Sequence, residues 1–385
     1  MIYRCSNCDS ALEFDPVSGM MQCLRCGSFF ETSELEAEEP EEADSEYNPE
    51  VEEFEDASTM EVKIYTCSAC GAELAVNDTE VSTWCAYCGQ PSVVYSRVSK
   101  EKKPKYIIPF RITRDEVLHT IRNKFRKGIL TPKAVKEFEV EKLRGIYIPY
   151  YLFDVYYHDI EEVFGDKKIF NVEAECEFKR ICIDASKRLE DESTQRLEPF
   201  ELGDLRSFEP AYLSGFYADR NDLSARQLTG AVKKRCKELF DSQLKGVVHS
   251  QNPYVKKSNP DMEVRNADYT LFPIWFMTFR YANRPYTILV NGQTGKMVGG
   301  VPIHKGKLWA MYLGIAFATS TLLTCGSFWL YSMIGEGIGA FVAVIVLALI
   351  FHLLGLGFIT TYRKNVKLTK LSQTAKFVRE RQDEE

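Results

Sequence analysis

Eight of the twelve cysteines fall in a spacing that suits a metal ion. Cys5-x2-Cys8 is followed 14 residues later by Cys23-x2-Cys26, and Cys67-x2-Cys70 is followed 14 residues later by Cys85-x2-Cys88. The second set is the first displaced by 62 positions. Tyr3 and Tyr65, Ser6 and Ser68, Leu12 and Leu74, and Gly27 and Gly89 obey the same offset, so one module is written twice. A Cys-x2-Cys turn points two thiolates at one ion, and a second such turn completes a tetrahedron of sulfurs. Soft thiolates in that arrangement select zinc. Cys5, Cys8, Cys23 and Cys26 are therefore expected to hold one zinc ion, and Cys67, Cys70, Cys85 and Cys88 a second. All four positions of each set are cysteine, so no coordination position is left for water or substrate, and both ions are expected to be structural. Disulfides and iron–sulfur or rubredoxin-like iron are the alternatives for the same spacing, and a reducing compartment argues against the first. The other four cysteines, Cys176, Cys182, Cys236 and Cys325, are scattered and read as small apolar fillers.

The chemistry that enzymes of this size use is not visible elsewhere. No Gly-x4-Gly-Lys-Ser/Thr loop, no Gly-x-Gly-x-x-Gly opening a helix and no His-Glu-x-x-His occurs, and the five histidines do not cluster. The expectation is a non-enzyme with no catalytic residues and no organic cofactor. His158-Asp159 beside Glu161-Glu162 reads as a solvated strand end, and Asn291–Gly295 as a hairpin turn. Neither ribbon offers a basic face: between Cys67 and Cys88 there is no Lys or Arg at all. Nucleic acid is thus an unfavoured partner. Phe29, Phe30, Trp84 and Tyr87 are aromatic residues that could meet a protein instead.

The expected fold class is multi-domain, with two small four-cysteine zinc ribbons, a mixed α+β cytoplasmic body and a C-terminal transmembrane helical hairpin. Ribbon 1 spans residues 1–30 and ribbon 2 spans 62–99. Between them, residues 31–61 carry 15 acidic groups and no Lys or Arg, which predicts a flexible linker. The body runs over 106–304. It should open on a short edge strand at 106–113, because Pro109 cannot donate to a ladder. Helices are predicted over 114–127, capped by Thr113, and over 132–143, entered by Pro132. Residues 145–163 and 172–183 read as strands, 221–245 as an amphipathic helix, and 269–281, 285–290 and 296–299 as strands. Ile148-Pro149-Tyr150 and Phe272-Pro273-Ile274 open two similar aromatic runs 124 positions apart, which suggests a degenerate duplication of the body.

From Leu308 to Tyr362 there is no Lys, Arg or Asp and a single Glu, Glu336. Residues 308–331 and 340–361 are each long enough to cross a hydrocarbon core, for which about 20 residues suffice. Lys305 and Lys307 precede the pair, and Arg363, Lys364, Lys367 and Lys370 follow it. The positive-inside bias then predicts a multi-pass protein of the cell membrane with both termini cytoplasmic, the tail 362–385 included, and lipid as a partner.

This order of features is specific: four-cysteine ribbons, Ile-Pro-Phe at 108–110, Gly-Ile-Tyr-Ile-Pro-Tyr at 145–150, Leu271-Phe-Pro-Ile-Trp275 and Val290-Asn-Gly-Gln-Thr-Gly-Lys296. It resembles the bacterial TFIIB-type double zinc-ribbon membrane proteins over nearly the whole chain. It is similar to the zinc-ribbon membrane anchors encoded beside SPFH/flotillin-like, phage-shock-protein-A-like (PspA-like) and TPM-domain proteins. The resemblance implies a non-enzymatic membrane-anchored scaffold or recruiter for such partner proteins, in an envelope-stress or membrane-organisation assembly. The alternative is a membrane-tethered nucleic-acid-binding or regulatory zinc-ribbon protein.

Overall fold

The computed structural model describes residues 3–35, 46–47, 59–76, 85, 87, 88 and 93–299, the last with short breaks, and scattered positions from 302 to 332. Ribbon 1 is a three-stranded antiparallel sheet of β1 (Leu12–Asp15), β2 (Met20–Cys23) and β3 (Phe29–Phe30). A two-residue strand β4 (Glu46–Tyr47) follows. Ribbon 2 contributes β5 (Thr59–Cys67) and β6 (Glu73–Val76), and β7 (Val93–Lys102) pairs with the full length of β5.

The first half of the body holds β8 (Tyr106–Ile107), α1 (Arg114–Lys127), the single turn α2 (Lys133–Lys136), and the long hairpin β9 (Leu143–Gly165) and β10 (Lys168–Asp184). A connecting stretch holds α3 (Asp191–Leu197) and β11 (Arg206–Ser207). The second half holds β12 (Tyr217–Asp219), α4 (Thr229–Val247), β13 (Tyr254–Ser258), β14 (Asp261–Tyr281), β15 (Arg284–Asn291) and β16 (Met297–Val298).

Strands β11-β8-β14-β9-β12-β6-β5-β7-β4 form one continuous path, so ribbon 2 is hydrogen-bonded into the body's sheet through β6 and β12. Beta-branched and aromatic residues make β9 extended, and from Gly145 to Phe153 its apolar run is unbroken because both faces are covered there, whereas beyond Phe153 burial alternates. Leu143, Tyr147, Tyr151, Val155 and Tyr157 face α1, α4 and ribbon 1. The alternating set Ile146, Ile148, Tyr150 and Leu152 faces Phe272, Ile274, Phe276 and the second cysteine group. Successive strand side chains point to opposite faces, which divides the core into these two layers.

The two halves meet about a twofold in register. Ile148 lies opposite Phe272 where β9 and β14 pair antiparallel, so the two apolar-Pro openings face each other. On one side of this point β8 pairs parallel with β14, Tyr106 against Thr270 and Ile107 against Leu271. On the other, β12 pairs parallel with β9, Tyr217 against Ile146 and Ala218 against Tyr147. Each short strand thus serves the other half's long strand, at equivalent positions. The helix entries match as well. Thr113 and Glu116 form a reciprocal capping box before α1, and Ser224 and Gln227 make the same exchange ahead of α4.

Several expectations change. Of the helix expected over 132–143 the described residues show the turn α2, with Pro132 still extended, Glu137 as its C-cap and β9 begun by Leu143; residues 138–142 lie outside the described residues. The helix expected from 221 starts at Thr229, after the Ser224 cap. Strand β14 begins eight residues ahead of the expected Tyr269, its first part being exposed and charged rather than apolar. Strand β8 is interior, between β11 and β14, and Pro109 lies just past it. The fold class is also corrected. The mixed α+β body stands, but among the described residues no helix is long and apolar enough to cross a membrane. The expected hairpin therefore has no counterpart there: 308–331 is described only at scattered positions, and 340–361 and the tail lie outside the described residues. Most of the acidic linker lies outside them too.

Phe110 ties the halves together. It stacks on Phe216 at 4.2 Å and meets Tyr147 and Trp275 edge-on at 5.0 and 5.1 Å. Gly145 and Gly292 admit it, since a Cβ at Gly292 would stand 2.5 Å from a Phe110 ring carbon. Phe110→Ala should cost about 3–5 kcal/mol, the range for emptying a buried aromatic site. Urea denaturation would show it as a lower midpoint at unchanged slope.

Candidate metal centres

The turns at Cys5–Cys8, Cys23–Cys26 and Cys67–Cys70 have a backbone that the sequence dictates. The amide of Cys5 donates to Ser10 O, that of Cys23 to Ser28 O and that of Cys67 to Ala72 O, at 2.8–2.9 Å. The residue after the second cysteine folds back on the first: Asp9, Gly27 and Gly71 donate to the carbonyls of Cys5, Cys23 and Cys67. All three have positive φ, at 59°, 75° and 66°. Glycine adopts that backbone without strain, which is why Gly follows Cys26 and Cys70. A Cys-x2-Cys-Gly signature was thus available in the sequence as a turn signal as well as a ligand signal.

These turns bring together the residues expected from spacing. Cys5, Cys8, Cys23 and Cys26 form one group whose Sγ atoms all lie within 4.8 Å of one another, and Cys67, Cys70, Cys85 and Cys88 form another. The pairing across the two turns is the same in both. Sγ–Sγ separations are 3.5 Å for Cys5–Cys26 and 3.4 Å for Cys8–Cys23. They are 3.7 Å for both Cys67–Cys88 and Cys70–Cys85. A disulfide needs about 2.05 Å. Four sulfurs at about 2.3 Å from a central ion stand about 3.8 Å apart along the edges of a tetrahedron. The observed separations fit an ion and not a bridge. Both groups are potential metal sites.

Their surroundings differ. In the first group Cys26 is exposed and Cys8 half-buried. Hydrogen bonds from Ser28 pull the Cys26 thiol down to about 6, while desolvation pushes Cys5 up to about 11. In the second group all four are buried. Crowding by the other thiols, Cys67 first, drives Cys70 and Cys85 far up. Shared ionisation there needs a cation, so metal binding would expel protons.

Ribbon 1 rests on the body through Phe14, whose amide donates to Ser214 O at 3.2 Å and whose ring meets Tyr212 edge-on. Beside this contact lies a cleft of about 560 Å³ lined by Glu13, Gln22, Arg114, Arg144, Phe216 and Trp275. The second group is fixed more firmly. Glu73 of β6 binds Arg97 at 3.0 Å and Arg220 at 2.9 Å. Burial raises its carboxyl, but the two guanidinium groups outweigh this and hold it below the usual range. Of the aromatic residues expected to face a partner, Phe29 is exposed and Phe30 half-buried. Tyr87 is fully buried against Phe276, 5.5 Å between rings, so its contact is internal. Trp84 lies outside the described residues.

Two polar features of the body are structural. Asn291 is buried; its amide donates to Leu197 O and Pro199 O, and its side-chain oxygen accepts from the Gln293 and Thr294 amides. The turn expected at 291–295 is present, with Gly295 at φ 73°. The expected solvated strand end at His158–Glu162 is not what forms. Asp159 and Glu161 are buried beneath α4, where Lys237 reaches Glu161 at 3.0 Å and Ser258 reaches Asp159 at 2.8 Å. Burial and the nearby Asp241 push Glu161 up to about 7, against the pull of Lys237.

The chain is 28% identical over 339 residues to the uncharacterized protein YdjG of Bacillus subtilis (strain 168), covering 82% of this chain and 94% of that protein. No protein-family model matches the chain, and no solved structure matches it. The expected membership of a TFIIB-type zinc-ribbon membrane family is therefore corrected: no family match supports it. The expected cell-membrane location, lipid partner and membrane-anchored recruiter of flotillin-like, PspA-like or TPM-domain proteins are corrected as well. So is the membrane-tethered nucleic-acid-binding alternative. All rested on spans for which the described residues supply no helix long and apolar enough.

Two outcomes are expected. With a thiol-modifying reagent and a chromogenic chelator, metal should leave in two phases, the first from the group containing exposed Cys26; Cys26→Ser should remove the fast phase alone. Glu161 titrates higher in the folded chain than its ordinary value of 4.5, so the folded state holds more protons between about pH 4.5 and 7. Its contribution to stability therefore falls as pH rises through that window. Glu161→Gln should flatten this part of the stability profile in denaturant titrations.

Proposed function

We propose that the chain is a non-enzymatic protein that carries two structural zinc ions, one in each four-cysteine group. The observation that carries this reading is the matched sulfur geometry: two sets of four thiols, cross-paired alike at 3.4–3.7 Å. Zinc suits it because thiolate ligands and tetrahedral spacing are its common structural setting. Four protein ligands fill the coordination sphere, so the ion has no position for a substrate. Its work is to hold short hairpins that bury little apolar surface of their own.

The two ions do different work in this reading. The ion at Cys67, Cys70, Cys85 and Cys88 closes the end of the β5–β6 hairpin against Phe276 and so completes one core layer. The ion at Cys5, Cys8, Cys23 and Cys26 holds together a ribbon whose own sheet is separate from that of the body. In the Asp159–Glu161–Lys237 cluster, Lys237 of α4 is bound to Glu161 of β9.

Elemental analysis of the purified full-length chain should give two zinc ions per chain. Cys5→Ser and Cys67→Ser should each leave one. The Cys67→Ser change should also lower the thermal midpoint of the body, whereas Cys5→Ser should spare it. Two zinc ions retained by either variant would refute the ligand sets, and iron in their place would refute the metal.

A further inference from the structure

We infer that the basic segment 363–379 of this same chain docks on an acidic face, uncovered among the described residues, of the sheet formed by the distal parts of β9, β10 and β14. The face follows from register. Glu173 lies opposite Ile160, Glu175 opposite His158 and Glu177 opposite Tyr156, while Asp261 and Glu263 of β14 lie opposite His158 and Tyr156 from the other side. Directly opposed residues share a face, so these carboxylates and Glu162 stand together. The reverse face of the same strands is covered by α4, where Tyr157 meets Phe240 at 5.2 Å between rings. The acidic face has no such cover among the described residues: Glu173, Glu175, Glu177, Asp261 and Glu263 are all exposed. It also carries exposed apolar groups, with Ile160 at 46%, Ile169 at 52% and Tyr254 at 54%.

Among the described residues the basic groups on the face are Arg265 and Lys179, both on Glu177, Lys257 on Glu162, and the His158 ring, 3.2 Å from Glu173. The edge of β10 away from β9 has no strand partner among the described residues. A second copy is a poor occupant of that edge, because two such strands side by side would bring glutamate rows together. The occupant must be basic with apolar residues interspersed.

The chain contains such a segment. Residues 363–379 hold Arg363, Lys364, Lys367, Lys370, Lys376 and Arg379 with no acidic residue, interleaved with Val366, Leu368, Leu371 and Phe377. Tethering to the same chain gives it a local concentration on the order of mM, which a free partner would have to exceed. The acidic run at 38–56 competes for it. The sheet face has the advantage that its carboxylates are already held at a spacing of about 6.7 Å along each strand.

The test uses the full-length chain, mixed as isotope-labelled and unlabelled copies and treated with a carbodiimide that joins amines to carboxylates at zero length. Mapping should find links from Lys364, Lys367, Lys370 or Lys376 to Glu173, Glu175 or Glu177 within one chain, and these should fade at high salt. Reversing the charge with Lys367→Glu, Lys370→Glu and Lys376→Glu should speed hydrogen exchange along 169–177 severalfold while leaving α4 and both metal sites unchanged. Links between copies, links to 38–56 in place of β10, or exchange along 169–177 indifferent to the charge reversal would each overturn the inference.

Discussion

The antiparallel pairing of β9 with β14 fixes nearly everything else. It runs from Asp261 opposite His158 to Met277 opposite Leu143, with one irregularity near Arg265. A ladder of this length locks register, because a slip of one residue would turn every aromatic side chain to the wrong face. The two core layers then follow without further instruction. One face collects Tyr147, Tyr151 and Trp275 for the helices and ribbon 1; the other collects Tyr150, Phe272 and Phe276 for ribbon 2. The metal groups are placed by this ladder and do not place it.

The two cysteine groups show how one local design can serve two energetic roles. The described turns, at Cys5, Cys23 and Cys67, share hydrogen bonds and positive φ, and both groups share their cross-pairing, yet one group is sunk in a core layer and the other borders solvent. The difference comes from what each hairpin meets. The strand after Cys70 pairs with β12 and brings Glu73 between two guanidinium groups, whereas the strand after Cys8 meets the body through contacts that include the backbone hydrogen bond and ring contact of Phe14. Ion pairs that are partly buried and bonded at both oxygens of Glu73 hold more firmly than exposed ones.

Legibility in the sequence followed the range of the interaction. The metal groups were readable because four residues at fixed spacing and a following glycine are a local code. The capping box at Thr113 and the turn at Asn291–Gly295 were readable for the same reason. What escaped was set by distant partners. Asp159 and Glu161 look solvated in sequence and become buried only because Lys237, 76 residues on from Glu161, arrives from α4. Tyr87 looks like a free aromatic until Phe276 covers it. Beyond Pro132 the helical pattern was read too far, since the pull of the sheet on Leu143 has no signature in the local sequence. Apolar length and basic flanks point to membrane spans in the sequence, and the described residues do not bear them out.

The crossed strands β8 and β12 have a consequence for how the body could ever be divided. Each half contains a long hairpin, a capped helix and a short strand, yet the short strand completes the neighbour's long strand and not its own. A cut between β10 and β11 would therefore leave two fragments, one holding β8 and the other holding β12 with no strand to pair to. Such pieces are halves of a lock that close only on each other. The body is in that sense a dimer interface made permanent by a covalent link, and its cooperativity is that of association with the concentration term removed.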